Sequence, residues 1–342
     1  SMSVAKLFEK PVKEFSALIY GLVQKSWAWS YSSNLMHAER AAIPVISVGA
    51  IAIGGSGKTP LTILLAERLY DFGFKPVICS RGYKGSYRGL YELVSDGKSK
   101  CPLVDPDVCG DEPFLMASRL KNIPVIVAKK RINAIRKAIE SFGCNIAVLD
   151  DGYQHLCLER DINIAILDSR NNVMFPIGSL REPLTALARA NVIVSNSSKY
   201  QLNDQTRMLI RGKPFFLSHH LPEGLVQGLT DGILEASHFD GNQVVLVSAI
   251  ANPDRFREMA KGLGWIVVEH FTYRDHYKLS NRELLKLISN ARGLPLILTE
   301  KDWVKTPDWF QQRADTFALR IKVVLEDETG FWKYIRESLR RK

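Results

Sequence analysis

Residues 44–60 read PVISVGAIAIGGSGKTP, and the fold is decided there. The opening is an apolar, β-branched run of strand type, and Lys58-Thr59-Pro60 opens a helix. Between them lies a turn rich in glycine: Gly54-Gly55-Ser56-Gly57-Lys58-Thr59. A strand, a glycine turn and a helix start form the context of a phosphate loop. Glycines let consecutive backbone N–H groups turn inward on phosphate oxygens, and the helix N-terminus adds partial positive charge. Lys58 is placed to reach the β- and γ-phosphates of ATP, and the Thr59 hydroxyl to ligate Mg²⁺. Pro60 falls in the first helical turn, where a missing N–H costs nothing. The usual first glycine of the pattern is Ala52, and the doubled glycine at 54–55 is that of loops with a GGxGKT core.

Outward from this loop, short β-branched runs alternate with helical stretches, the signature of a parallel α/β sheet. Strands are predicted at 43–48, 76–79, 124–128, 146–149, 162–167 and 192–195, with helices at 58–72, 111–120, 131–142 and 183–189. The alternation breaks at 211–235, where two extended pieces, 214–220 and 225–229, flank Pro222-Glu223-Gly224 and suggest a hairpin. It resumes with strands at 244–247, 265–269, 296–299 and 318–325 and helices at 253–263, 281–289 and 330–340. The predicted fold is α/β: a P-loop NTPase-type, mostly parallel sheet domain and a second, smaller α/β domain, joined by a β-hairpin linker. The predicted division is an N-terminal membrane-interface helical segment at 1–36, the P-loop domain at 37–210, the linker and hinge at 211–235, and the C-terminal α/β domain at 236–342.

The 342 residues are 46% apolar and 24% charged, ordinary for globular domains with a core, and carry a formal charge of +10. The excess favours anionic partners such as nucleotides or an acidic membrane surface. Nucleic acid is not among them, because aromatics do not interleave with a basic stripe. Five cysteines, an odd count without a CxxC pair, point to free thiols, and no secretory signal leads the sequence, as expected for a reducing compartment. Residues 15–36 carry one charge, Lys25, with Tyr20, Trp27, Trp29 and Tyr31 clustered among apolar residues. Rings with a polar edge suit a water–lipid boundary, and a helix packed on its own domain is the alternative.

Further motifs fall at predicted strand ends or helix starts. Asp150-Asp151 follows the apolar run 146–149, where a phosphate-loop fold holds Mg²⁺ or its water. Ser80-Arg81-Gly82-Tyr83-Lys84 follows the second strand. Gly110-Asp111-Glu112-Pro113 precedes a helix, a place where aspartate commonly caps. Leu180-Arg181-Glu182-Pro183 precedes another. Asp275-His276-Tyr277 and Thr299-Glu300-Lys301-Asp302 belong to the second domain.

In this order the motifs resemble the tetraacyldisaccharide 4′-kinase family, the lipid A 4′-kinases of Gram-negative bacteria. The resemblance runs through GGSGKTP at 54–60, SRGY at 80–83, GDEP at 110–113, LDDGYQH at 149–155, LREP at 180–183, NPDRF at 252–256, DHY at 275–277 and TEKD at 299–302. It implies ATP-dependent phosphorylation of the 4′-hydroxyl of a tetraacylated glucosamine disaccharide 1-phosphate. The work is done peripherally, at the anionic cytoplasmic face of the inner membrane. It further implies Asp111 as general base with His276 as its partner, and Lys58 with Thr59 serving ATP and Mg²⁺. Asp150 and Asp151 are implied at the metal, Arg81, Tyr83 and Arg181 at the acceptor, and Gln154 and His155 on the nucleotide side. Ala50 and Ala52 stand where the family often has Asn and a hydroxyl residue, and Ser248-Ala249-Ile250-Ala251 where it often has AGIG. Two rival readings remain: a kinase for a different alcohol, and a partitioning-type ATPase that switches without an acceptor.

Overall fold

The computed structural model describes residues 19–26, 29–31, 33, 35–54, 57–167, 174–175, 177–196, 201–228 and 232–340. Its first half is built on β1 (Val45–Ala50), β2 (Pro76–Ser80), β4 (Val125–Val127), β5 (Ile146–Leu149), β6 (Ile162–Leu167) and β7 (Val192–Ser195). These six pair in parallel in the order β4-β2-β5-β1-β6-β7. Every residue in them is buried, which is why their sequences read as near-continuous apolar runs, interrupted only by Ser47, Ser80, Asn163 and Ser195, rather than alternating ones. Crossover helices Lys58–Asp71, Asp111–Arg119 and Arg131–Phe142 cover the faces. The last buries Ile132, Ala134, Ile135 and Ala138 and stops at Gly143, whose left-handed backbone closes the helix. A short antiparallel strand, β3 (Glu92–Ser95), caps the sheet edge. With only Leu93 and Val94 apolar, it left no pattern to read.

The linker differs from its sequence reading in where it turns. β8 (Phe215–Val226) is one strand that runs straight through Pro222-Glu223-Gly224. Its start pairs in parallel with β7, and its remainder pairs antiparallel with β13 (Thr316–Leu325). Pro222 stands opposite Ile321 at a bulge, where a residue without an N–H is tolerated inside a sheet. The chain reverses after Val226 instead, and β9 (Ile233–Leu234) returns antiparallel to β8. β10 (Gln243–Ser248), β11 (Ile266–Thr272) and β12 (Leu296–Thr299) complete the second half in the order β11-β10-β12-β13. Strand pairing is therefore continuous through both halves, with β8 and β13 as the bridge.

The final helix, Glu328–Arg340, departs from the division drawn at 236–342. Phe331, Trp332 and Ile335 are buried in one cluster with Ile46, Leu61 and Val192 of the first half. Phe331 meets Phe216 edge to face at 5.2 Å, and Arg68 donates to Glu328 at 2.8 Å. This helix of the second half thus packs on the first half.

The described part of the N-terminal segment is helical over 19–26. Ile19, Leu22, Val23, Trp29 and Leu35 are exposed, and Ile19, Leu22, Val23 and Met36 line an apolar groove of about 500 Å³. Tyr20 packs edge to face on Phe175 at 5.9 Å, tying the segment to the first domain. Trp27 lies outside the described residues. Among the described residues no helix is long and apolar enough to cross a membrane. All five cysteines are free thiols.

Candidate active site

Parallel pairing brings strand C-termini to one edge, and the site is assembled there. β1 delivers the glycine-rich loop that begins at Gly54. Its neighbour β5 delivers Asp150 and Asp151, and β2, next to β5, delivers Ser80. Lys58, at the start of helix Lys58–Asp71, is buried with its ammonium 3.5 Å from Asp151 Oδ1. Arg181 of the LREP segment donates to Asp151 Oδ2 at 2.8 Å. Asp150 accepts instead from two hydroxyls, Ser80 Oγ at 3.1 Å and Thr62 Oγ1 at 3.4 Å. The adjacent carboxylates are thereby driven apart. Burial, Glu112 and Asp151 push Asp150 up to about 7. Burial acts on Asp151 in the same direction, but Lys58 and Arg181 outweigh it and hold that carboxyl below its ordinary value.

Gly54 and Gly57 both have left-handed backbones, with φ of 114° and 84°. At Gly57 space forbids a side chain as well, since a Cβ would sit 2.2 Å from His220 Nε2. His220 comes from β8, and Arg255 of the NPDRF segment donates to its Nδ1 at 2.8 Å. Ala251 stands in ordinary contact range of a Cβ built on Gly54, at 3.9 Å. The bridge and second half thus lie over the glycine-rich loop. Gly55 and Ser56 fall outside the described residues.

The two halves also meet at Asp111. Gly110, not Asp111, occupies the N-cap position of helix Asp111–Arg119, and no side chain caps that helix. The capping role open to Asp111 in sequence is therefore not the one it takes. Its Oδ2 accepts from His276 Nδ1 at 2.8 Å, and Oδ1 from the Glu112 N–H at 3.2 Å. Burial works against ionising Asp111, yet His276 and Lys301 outweigh it and lower its pKa. Lys301 donates to His276 Nε2 at 3.1 Å and to Glu112 Oε1 at 3.2 Å. The Tyr83 ring meets that of His276 edge to face at 5.7 Å. Gly110 is required here because its φ is 92° and a Cβ would lie 2.6 Å from the Tyr83 carbonyl oxygen, so GDEP and SRGY pack backbone to backbone. Asp151 and His276 themselves hold positive φ, 47° and 64°, a conformation that costs non-glycine residues energy and concentrates at functional sites.

Arg81 and Tyr83 are exposed on the same edge. Gln154 and His155 brace the site from behind. Gln154 Nε2 donates to the Ala50 carbonyl at 2.9 Å and to Glu182 Oε1 at 2.8 Å. His155 Nε2 accepts from the Arg131 N–H at 3.4 Å, and burial with Arg131 and Arg160 lowers its pKa to about 3, leaving it neutral. Arg131 itself has no counterpart in the sequence reading. It is 3% exposed, its Nε lacks a hydrogen-bond partner, and the charges of Arg81, Asp150 and Asp151 act on it. A buried guanidinium with an unused N–H suits an anion. The Lys129-Lys130-Arg131 run at a helix start beyond β4 was its sequence signal. Lys301 and Glu112 lie inside the quoted TEKD and GDEP motifs without an assigned role, and no motif carries His220.

A parallel sheet with a glycine loop and Lys-Thr helix start, paired carboxylates on the next strand and a histidine–carboxylate pair closing over them is the architecture of an α/β phosphotransferase. The sequence model of the family described as tetraacyldisaccharide-1-P 4′-kinase (LpxK) matches residues 13–340. The chain belongs to that family and is a kinase. A tetraacyldisaccharide 4′-kinase of Azoarcus sp. is 36% identical over 329 residues, covering 94% of this chain and 90% of the relative. One from Syntrophus aciditrophicus is 33% identical over 330 residues, covering 91% and 88%. The crystal structure of LpxK from Aquifex aeolicus in complex with ATP superposes with a TM-score of 0.77 at 29% identity, covering 94% of this chain and 97% of that one.

Proposed function

We propose that the protein transfers the terminal phosphoryl group of ATP to the 4′-hydroxyl of a tetraacylated glucosamine disaccharide 1-phosphate, completing lipid IVA in lipid A biosynthesis. The observation that carries this reading is the Asp111–His276 pair, which joins the halves on the same edge as Lys58 and Asp151. The acceptor oxygen attacks the γ-phosphorus, the bond to the β-phosphate oxygen breaks, and ADP leaves. Asp111, held ionised, takes the hydroxyl proton. Residues 54–59 cradle the phosphates, and Lys58 turns from Asp151 to the transferring group, where its charge counts most in the transition state. Arg81, Tyr83 and Arg181 orient the sugar phosphate. Gln154 and His155 act on the nucleotide side by holding the end of β1 and the start of the helix at Arg131.

Mg²⁺ fits the residues present. Asp151 Oδ1 is a buried acceptor without a hydrogen-bond partner. The described residues hold no group of three His, Cys, Asp or Glu suited to a metal, but this ion keeps several waters and takes few protein oxygens beside phosphate. Thr59, Asp150 and Asp151 would hold it. When bound it neutralises charge on the phosphates. The exposed apolar residues at 19–36 would seat the enzyme peripherally on the anionic cytoplasmic face of the inner membrane, beside an acceptor whose acyl chains stay in the lipid.

The test is incubation with ATP and tetraacyl disaccharide 1-phosphate, followed by mass measurement. Gain of one phosphate on the disaccharide is expected. ATP hydrolysis at full rate without acceptor, and no phosphorylated lipid, would refute the reading.

A further inference from the structure

His276 reaches Asp111 from the second domain, and its role depends on which ring nitrogen carries the proton. Two contacts decide that. An ammonium has three donors and no acceptor, so Lys301 Nζ, 3.1 Å from Nε2, meets a lone pair there. A hydrogen on Nε2 would set donor against donor. Nδ1 then holds the proton and donates it to Asp111 Oδ2 at 2.8 Å. The remaining group near Nε2, Asp275 Oδ2 at 3.8 Å, lies beyond hydrogen-bond reach. Lys301 is firmly placed, with Glu112 Oε1 at 3.2 Å and Asp275 Oδ1 at 3.6 Å, on the four-residue helix Glu300–Trp303 that directly follows β12. Burial disfavours its charge, but Glu112, Asp111 and Asp275 outweigh burial and keep it a cation. Imidazole position is set from the other side by the backbone, where the His276 N–H donates to the Ala249 carbonyl at 3.0 Å.

We propose that Lys301 is a positioning residue that fixes His276 as its Nδ1–H tautomer, so that the histidine orients Asp111 and does not relay the proton away from it. With Nδ1 already protonated, His276 cannot accept from the carboxyl group beside it. The proton taken from the acceptor hydroxyl stays on Asp111 until it leaves to solvent with the product. Lys301 thereby sets the orientation and charge of the base without touching the reacting atoms. This deepens the assignment of Asp111 as base and rests on it.

The experiment separates the two claims, because one of its readouts does not use activity. The full chain is labelled with ¹⁵N-histidine, and the His276 resonances are identified by their loss in His276→Gln. Ring nitrogen shifts near neutral pH are expected to show Nδ1 protonated and Nε2 bare. In Lys301→Met the Nε2 signal moves toward the average of exchanging tautomers, and in Lys301→Arg, which restores a donor, it moves back. In parallel, kcat of Lys301→Met falls by about 10–10²-fold, part of the 10²–10⁴ that a positioned base contributes, with KM for ATP little changed. A wild-type His276 carrying its proton on Nε2, or on both nitrogens, overturns the proposal even if neither Lys301 variant folds. So does a Lys301→Met protein whose His276 signals and kcat match wild type. Loss of the base role at Asp111 would show separately, as an active Asp111→Asn enzyme with the tautomer unchanged.

Discussion

At the scale of single residues, the site works by giving neighbouring groups different electrostatic surroundings. Asp150 and Asp151 are adjacent in the chain, yet one faces hydroxyls and the other two cations. Asp111 sits ionised between a histidine and the influence of a lysine. A carboxylate held that low is a weak base, but in a loose phosphoryl-transfer transition state little proton abstraction is needed before the hydroxyl oxygen begins to bond. Asp111→Asn is expected to lower kcat by about 10²–10⁴-fold with ATP affinity nearly intact. His276→Ala falls less, and the double variant loses little beyond Asp111→Asn because the pair acts as a unit. Steady-state kinetics on the three proteins check this, and multiplicative losses would break the pair apart. His155 supplies a pH prediction. Its folded pKa of about 3 lies below its ordinary value of 6.5, so the unfolded chain binds a proton first as pH falls. Its contribution is complete above pH 6.5 and erodes below it. Between pH 7.5 and 5.5, urea unfolding of wild type should lose about 1 kcal/mol more than that of His155→Gln, which keeps an acceptor for the Arg131 N–H.

At the scale of elements, the last helix shows which contacts hold the halves as one molecule. Its ion pair, Glu328 with Arg68, is substantially exposed and contributes little, in the range of ~0–1 kcal/mol for such pairs. Phe331 is fully buried between Phe216 of the bridge and Trp332. Phe331→Ala is expected to cost ~3–5 kcal/mol, whereas Arg68→Ala should shift stability by no more than ~1 kcal/mol. Denaturant titration of both variants distinguishes them. Equal losses would show that the helix docks through its charges rather than its apolar face. The amphipathic character of this helix was legible in sequence. Its partner was not, because an apolar stripe states that a face is buried and not against what. β8 is the same lesson in a strand: Pro-Glu-Gly is a turn by local chemistry, but its pairing with β13 through a bulge keeps it extended.

At the scale of the whole molecule, two strands, β8 and β13, bridge the two halves of one sheet, and both halves supply the site. The structure is closed over the phosphate loop, with His220 against Gly57 and His276 on Asp111. The contacts across the cleft are polar, Arg119 with Glu300 and Lys301 with Glu112 among them, while the last helix stays docked on its apolar face, so the cleft is expected to open without nucleotide and to close with it. Small-angle scattering should report a smaller radius of gyration under saturating nucleotide and acceptor than in their absence. An unchanged radius would count against a hinge at the bridge. Membrane docking belongs to this scale as well. Trp27→Ala with Trp29→Ala is expected to weaken flotation with anionic liposomes while leaving the thermal unfolding transition in place. Unchanged flotation would return the segment to a purely structural role.

The sequence by itself determined the glycine-rich turn between strand and helix, the mostly parallel sheet and many of the residues that gather at its C-terminal edge. The reason is local: a glycine turn between strand and helix has one geometry, and parallel strands place their following loops together. Asp150, Asp151, Ser80 and Arg181 come together for that reason alone. The resemblance implied His276 as the partner of Asp111, but only the tertiary structure decided that Asp111 leaves the cap position to Gly110 and that Lys301 stands behind the histidine. It also decided that Arg131 is buried beside the carboxylates, that His220 covers Gly57, and that the last helix returns to the first domain. Asp111 and His276 are 165 residues apart and meet across the two halves of the sheet. No periodicity or propensity encodes such a contact, because it is set by the sum of packing between layers rather than by the preferences of either segment.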